Sequence, residues 1–92
     1  MKQKITKKQW QELSNIEMLF IVNYFKGRLF DNGYLFNIGQ MIEFLGDDFD
    51  SIQLSTCYTV VLEDTKKFNI NSFRDKELCD ALWGAVKFKI NI

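Results

Sequence analysis

Histidine and proline are both absent from the 92 residues, and cysteine occurs only twice. Without histidine the chain lacks the side chain that most often serves as general base or metal ligand near neutral pH. The two thiols, Cys57 and Cys79, cannot form a disulfide framework or a paired-cysteine metal site. They are expected to be buried, reduced thiols, one in a strand-like run and one on a helix. No glycine-rich phosphate loop is present, and no spacing places a base beside a Ser or Cys nucleophile. No hydrophobic run approaches the ~18 apolar residues of a membrane span. The opening MKQKITKK is followed by polar residues and does not read as a signal peptide. These absences point to a cytoplasmic, non-enzymatic protein with no cofactor, no metal and no membrane partner.

What is present is apolar mass and an uneven charge. The chain is 47% hydrophobic and 15% aromatic, with nine Phe and two Trp. That is enough for one self-sufficient core, so residues 1–92 are read as a single domain. The formal net charge is zero, yet it is partitioned. Residues 1–28 are net +4, and residues 65–92 are net +3. Between them, residues 29–64 hold seven carboxylates and no Lys or Arg. Such a partition either lets segments neutralise each other in the fold or leaves an acidic surface for a basic partner.

Local signals divide the chain. Thr6 with Gln9 forms a capping-box pattern, and Ile5 with Trp10 fits a hydrophobic staple. A second box, Ser14 with Glu17, predicts a restart, so a short helix near 7–13 gives way to a longer one over about 15–26, stopped by Gly27. Within that helix, only Glu17 and Asn23 are polar between Ile16 and Phe25. A helix apolar on nearly all sides is either the central element or partly covered by another chain, which makes residues 16–25 a candidate homodimer or partner surface. Asp31-Asn32-Gly33 reads as a hairpin turn or a plain loop. Asn37 then caps a helix with Gln40 at its third position, and Ile38, Met41, Ile42 and Leu45 form its buried stripe, ended by Gly46. Residues 52–63 alternate, with Ile52, Leu54, Thr56, Tyr58, Val60 and Leu62 on one face of a strand. "EDTKK" is a turn, and Phe68 and Ile70 mark a shorter return strand. Ser72 is the expected cap of the last helix, with Asp75 and Glu77 in its first turn and Lys87 and Lys89 in its last. Leu78, Leu82, Ala85 and Val86 make its stripe, widened by Cys79, Trp83 and Ile90. The expectation is an α+β fold, three to four helices packed on one face of a small antiparallel hairpin or sheet.

Two strings, Ile38-Gly39-Gln40-Met41-Ile42-Glu43-Phe44-Leu45 and Glu77-Leu78-Cys79-Asp80-Ala81-Leu82-Trp83 with Ala85-Val86-Lys87, resemble short uncharacterised phage and prophage proteins of low-GC Gram-positive bacteria. The resemblance covers about fifteen residues at two places and implies a cytosolic protein made in an infected or lysogenic cell. It brings no catalytic residues. Gly84 departs from the strong helix former expected there and suggests a bend or a close packing contact, since a mid-helix Gly costs up to ~1 kcal/mol against Ala.

Two candidate sites follow. Asp47, Asp48 and Asp50 lie just after a helix stop, lack the spacing of a calcium loop, and would serve as an acidic surface for an unidentified basic protein partner. Lys2, Lys4, Lys7 and Lys8, with Trp10 and Arg28 nearby, would instead contact nucleic-acid phosphates. No array of Arg, Asn or Gln suited to reading bases accompanies them. Protein contact through the acidic cluster is the first reading and weak nucleic-acid binding the second.

Overall fold

Each helix start described in the first half of the chain is fixed by a short reciprocal hydrogen-bond pair. In the computed structural model, which describes residues 2–25, 37–64 and 69–91, Thr6 Oγ1 accepts from the Gln9 backbone N–H while the Thr6 N–H donates to Gln9 Oε1. Helix α1, Lys7–Trp10, starts there. Ser14 and Glu17 repeat the exchange at 2.8 and 3.2 Å at the head of α2, Asn15–Phe25. Asn37 and Gln40 do so at 2.9 and 2.7 Å before α3, Ile38–Leu45. Each pair satisfies amides that a helix start would otherwise leave unpaired. Ile5 and Trp10 are both buried, as a staple requires.

A single 3-10 turn, Gly46–Asp48, leads from α3 into β1, Phe49–Leu54. Strands β2, Tyr58–Asp64, and β3, Asn69–Asp75, complete an antiparallel sheet of order β1-β2-β3. Helix α4, Leu78–Ile90, closes the described chain. The fold is α+β, and α4 packs on β2 and β3 while α3 lies against α4. No helix among the described residues is long and apolar enough to cross a membrane.

The alternating run at 52–63 is two strands rather than one. Ser55-Thr56-Cys57 forms the bend between them, and Ile52 pairs with Val60 and Leu54 with Tyr58. Directly paired residues share a face, so the expected face survives the reversal while Thr56 leaves it for the bend. A bulge at Asp50 shifts the register, so that Phe49 opposes Leu62. One extra residue lets Phe49 and Ile52 point to the same side although three positions separate them. Ile52 and Leu54 remain exposed because β1 is an edge strand.

Ser72 does not cap α4. It pairs with Val61 inside β3, and Glu77 stands at the cap position without a side-chain cap bond. Asp75 ends β3 and accepts the Glu77 N–H at 3.0 Å, so Asp80 is the acid of the first turn and Lys87 and Lys89 lie in the last. Ile70 opposes Glu63 and is exposed, so it faces away from the helices. Gly27, Arg28, Asp31-Asn32-Gly33 and Phe68 lie outside the described residues.

The central element is α4, not α2. Cys79, Ala81, Leu82, Trp83, Ala85 and Val86 are all buried, whereas α2 buries only Ile21 and Phe25. Gly84 lies on the face of α4 that packs against β3. A methyl group at Gly84 would lie 3.5 Å from the Phe73 ring, and Phe73 also packs against Phe88.

Candidate interaction surfaces

The acidic cluster sits at the corner where α3 turns into β1. Gly46 makes that corner with φ 56° and ψ −131°, a backbone region that side chains strongly disfavour. Asp47 and Asp48 follow on the 3-10 turn, and Asp50 occupies the β1 bulge. Asp47 and Asp50 are exposed, and Asp50 accepts the Ser51 hydroxyl at 3.1 Å. Asp48 faces a cation that sequence proximity did not suggest, with Lys89 Nζ 3.7 Å from its Oδ2. The same ammonium donates to the Phe44 and Leu45 carbonyls at 2.7 and 3.0 Å and lies 5.2 Å from the Phe44 ring centre. Lys89 thus caps the negative end of α3 with a positive charge. Among the described residues, no three carboxylates or cysteines stand so as to hold a metal ion. The corner therefore offers two solvent-facing carboxylates and a third shared with Lys89. In water each such charge contributes ~1 kcal/mol or less to a pairing.

The N-terminal lysines do not act as one group. Lys2 is tied to α4 and α1, its Nζ donating to Asp80 Oδ1 at 2.6 Å and Gln9 Oε1 at 2.8 Å. Gln9 Nε2 donates to the same Asp80 oxygen, and the Lys2 amide reaches Glu77. Partial burial pushes the Asp80 carboxyl upward, but the hydrogen bonds from Lys2 and Gln9 and the Lys2 charge outweigh it and hold the group below its usual range. Lys4 is exposed, and its backbone bridges to Asn37 at the start of α3. Lys7 and Lys8 are exposed on α1, while Trp10 is buried and presents no stacking face. Three of the four lysines face solvent, without Lys2 and without an aromatic platform.

Trp83 and Glu12 join α4 to the residues after α1. The buried indole N–H donates to Glu12 Oε1 at 2.9 Å, and Lys87 Nζ reaches the same oxygen at 3.1 Å. These two hydrogen bonds, the indole's first, hold the Glu12 carboxyl below its ordinary value. The Cys79 thiol is fully buried, and burial pushes its pKa up to about 11. It therefore stays protonated and unreactive. Cys57 lies in the β1–β2 bend and is half-buried rather than inside a strand.

The most conspicuous surface feature is on α2. Ile16, Leu19, Phe20 and Tyr24 are 80, 59, 56 and 46% exposed. Their spacing of i, i+3, i+4 and i+8 places them on one face, opposite Ile21 and Phe25. Tyr24 secures one margin of this stripe, its hydroxyl donating to the Glu43 carbonyl at 3.2 Å while its ring packs edge-on against Phe44. Along the other margin runs an open, apolar groove lined by Trp10, Asn15, Met18, Leu19 and Val22. The excess of apolar residues on this helix is plain in the sequence. Both sides of α2 carry large side chains, and packing of Ile21 and Phe25 into the core is what leaves the other side spare. Compared with protein-family models, curated proteins and solved structures, the chain finds no match.

Proposed function

We propose that the protein is a non-enzymatic, phage-related accessory factor that works by protein contact, and that the contact is made by the outer face of α2. The observation that carries this reading is the row of four large apolar side chains, Ile16, Leu19, Phe20 and Tyr24, left exposed on one face. A stripe of this kind is commonly an interaction surface, because its cost in water is recovered only when it is covered. Asp47 and Asp50 at the neighbouring corner add negative charge that steers a basic partner without fixing it. The alternative, nucleic-acid binding through Lys4, Lys7 and Lys8, is left without Lys2, which is already paired with Asp80.

The test is capture on an immobilised copy from a nuclease-treated lysate that also contains untagged protein. The expected outcome is a retained protein that is lost when Leu19 and Phe20 are both changed to Glu. Loss only on changing Asp47, Asp48 and Asp50 to Lys would move the contact to the acidic corner. Retention that disappears with nuclease, or on changing Lys4, Lys7 and Lys8 to Glu, would favour the nucleic-acid reading.

A further inference from the structure

The outer edge of β1 is an open hydrogen-bonding row. β1 stands at one side of the sheet, and among the described residues only β2 pairs with it. Along residues 51–54, every second residue turns its N–H and C=O away from β2. Nothing in that stretch guards the edge, since it holds no charge, no Pro and no Gly. The edge of β3 differs, because it carries Arg74 and Asp75 and α4 packs on that strand.

Two apolar side chains lie uncovered beside this row. Ile52 and Leu54 share the sheet face of Val60 and Tyr58, their partners on β2, and buried Val60 marks it as the face that bears the helices. α4 packs on β2 and β3, which leaves Ile52 and Leu54 37 and 66% exposed. Ser51 and Gln53 point to the other face. A strand laid against β1 therefore meets apolar and polar side chains in alternation. At the start of the row stand Asp47 and Asp50, exposed and without an ion-pair partner among the described residues.

We infer that the free edge of β1 takes an extended segment of another protein as a fourth strand, antiparallel to β1, with alternating apolar and polar side chains and a Lys or Arg at its carboxyl end. The backbone row dictates the extended conformation. Ile52 and Leu54 dictate the alternation, because apolar side chains on the helix-bearing face add cross-strand contacts to the ladder. Antiparallel pairing matches the rest of the sheet. It also brings the segment's carboxyl end to the start of β1, where two solvent-facing carboxylates favour a cation. A second copy of β1 supplies none. Laid antiparallel on the same edge, it brings its own bend, Ser55-Thr56-Cys57, to that corner. This contact goes beyond the one proposed above and uses none of the α2 side chains.

The probe is a fluorescently labelled peptide of alternating valine and threonine that ends in two lysines, titrated with the purified chain and followed by anisotropy. Binding is expected, roughly fivefold tighter than for the same peptide ending in two glutamates. Asp47→Asn with Asp50→Asn should erase that preference, and Leu54→Thr should weaken both peptides. Strand pairing has a signature of its own. N-methylation of alternate peptide amides should abolish binding in one phase and spare it in the other, because only one set of amides faces β1. No binding of the lysine peptide, equal loss in both phases, or equal affinity for the two endings would each overturn the proposal. Self-association of the chain that Leu54→Thr abolishes would give the edge to a second copy instead. The Leu19→Glu, Phe20→Glu double variant should bind the peptide as wild type does. Lost binding in that variant, still folded by circular dichroism, would place the peptide on α2 and overturn the assignment to β1. A peptide that fails to bind leaves the α2 contact standing, since that contact is read through Leu19 and Phe20.

Discussion

Single side chains hold the ends of this molecule to its centre, and two of them give direct tests. Trp83 is buried on the central helix, and its N–H has Glu12 Oε1 as acceptor. Glu12→Ala removes that acceptor and leaves a buried donor poorly satisfied, for about 1 kcal/mol of lost stability in urea unfolding. Glu12→Gln retains a carbonyl oxygen at the same place and should lose less than half as much. Asp80 carries the second anchor, receiving Lys2 and Gln9. Its carboxyl is depressed below the ordinary 3.8 in the folded chain. Its contribution is therefore complete above the unfolded pKa and fades as pH falls through the lower folded value. Asp80→Asn should cost about 1 kcal/mol at pH 7. The difference from wild type should shrink on acidification below about pH 4, the unfolded carboxylate value. A difference that does not change with pH would remove the Lys2–Asp80 pair as its cause.

At the scale of elements, the chain divides between what neighbours in sequence decide and what packing decides. The three capping boxes were legible because both partners of each lie within three residues, and each forms as the residues predict. Gly46 likewise ends α3 where the pattern ended. The β1–β2 bend was not legible, because Ser55-Thr56-Cys57 offers only hydroxyl residues, the weakest of the turn formers, and none of the Gly, Pro, Asn or Asp that mark a reversal strongly. Ser72 resembled a helix cap, but pairing of β3 with β2 claimed it for the sheet. Nor could composition decide between α2 and α4 as the central helix, since both are strongly apolar and only the sheet position settles it. The candidate sites follow the same rule. The acidic corner and the lysines could be placed on their elements from sequence, but Lys89 beside Asp48 and Lys2 against Asp80 are tertiary pairs with no local signature. Gly84 lies on this border: the mid-helix glycine was visible in the sequence, whereas its packing against Phe73 belongs to the fold. A methyl there meets Phe73 at ordinary contact distance. Gly84→Ala should therefore gain the helix propensity of about 0.5–1 kcal/mol and raise the melting temperature. Unchanged or lower stability would mean that α4 approaches β3 more closely than that distance implies.

The whole molecule neutralises part of its charge partition internally. The basic N-terminus meets α4 through Lys2 and Asp80, and basic Lys89 returns to the acidic corner at Asp48. Asp47, Asp50, Lys4, Lys7 and Lys8 remain toward solvent. The larger unbalanced feature is apolar, the outer face of α2, lying between the Phe44 contacts of α3 and the groove beside Trp10. The contact proposed for this face is tested most directly by capture from a nuclease-treated lysate on immobilised wild type and on the Leu19→Glu, Phe20→Glu double variant. A protein retained by the wild type and lost by the folded variant is the predicted result; equal retention by both would contradict a contact through α2.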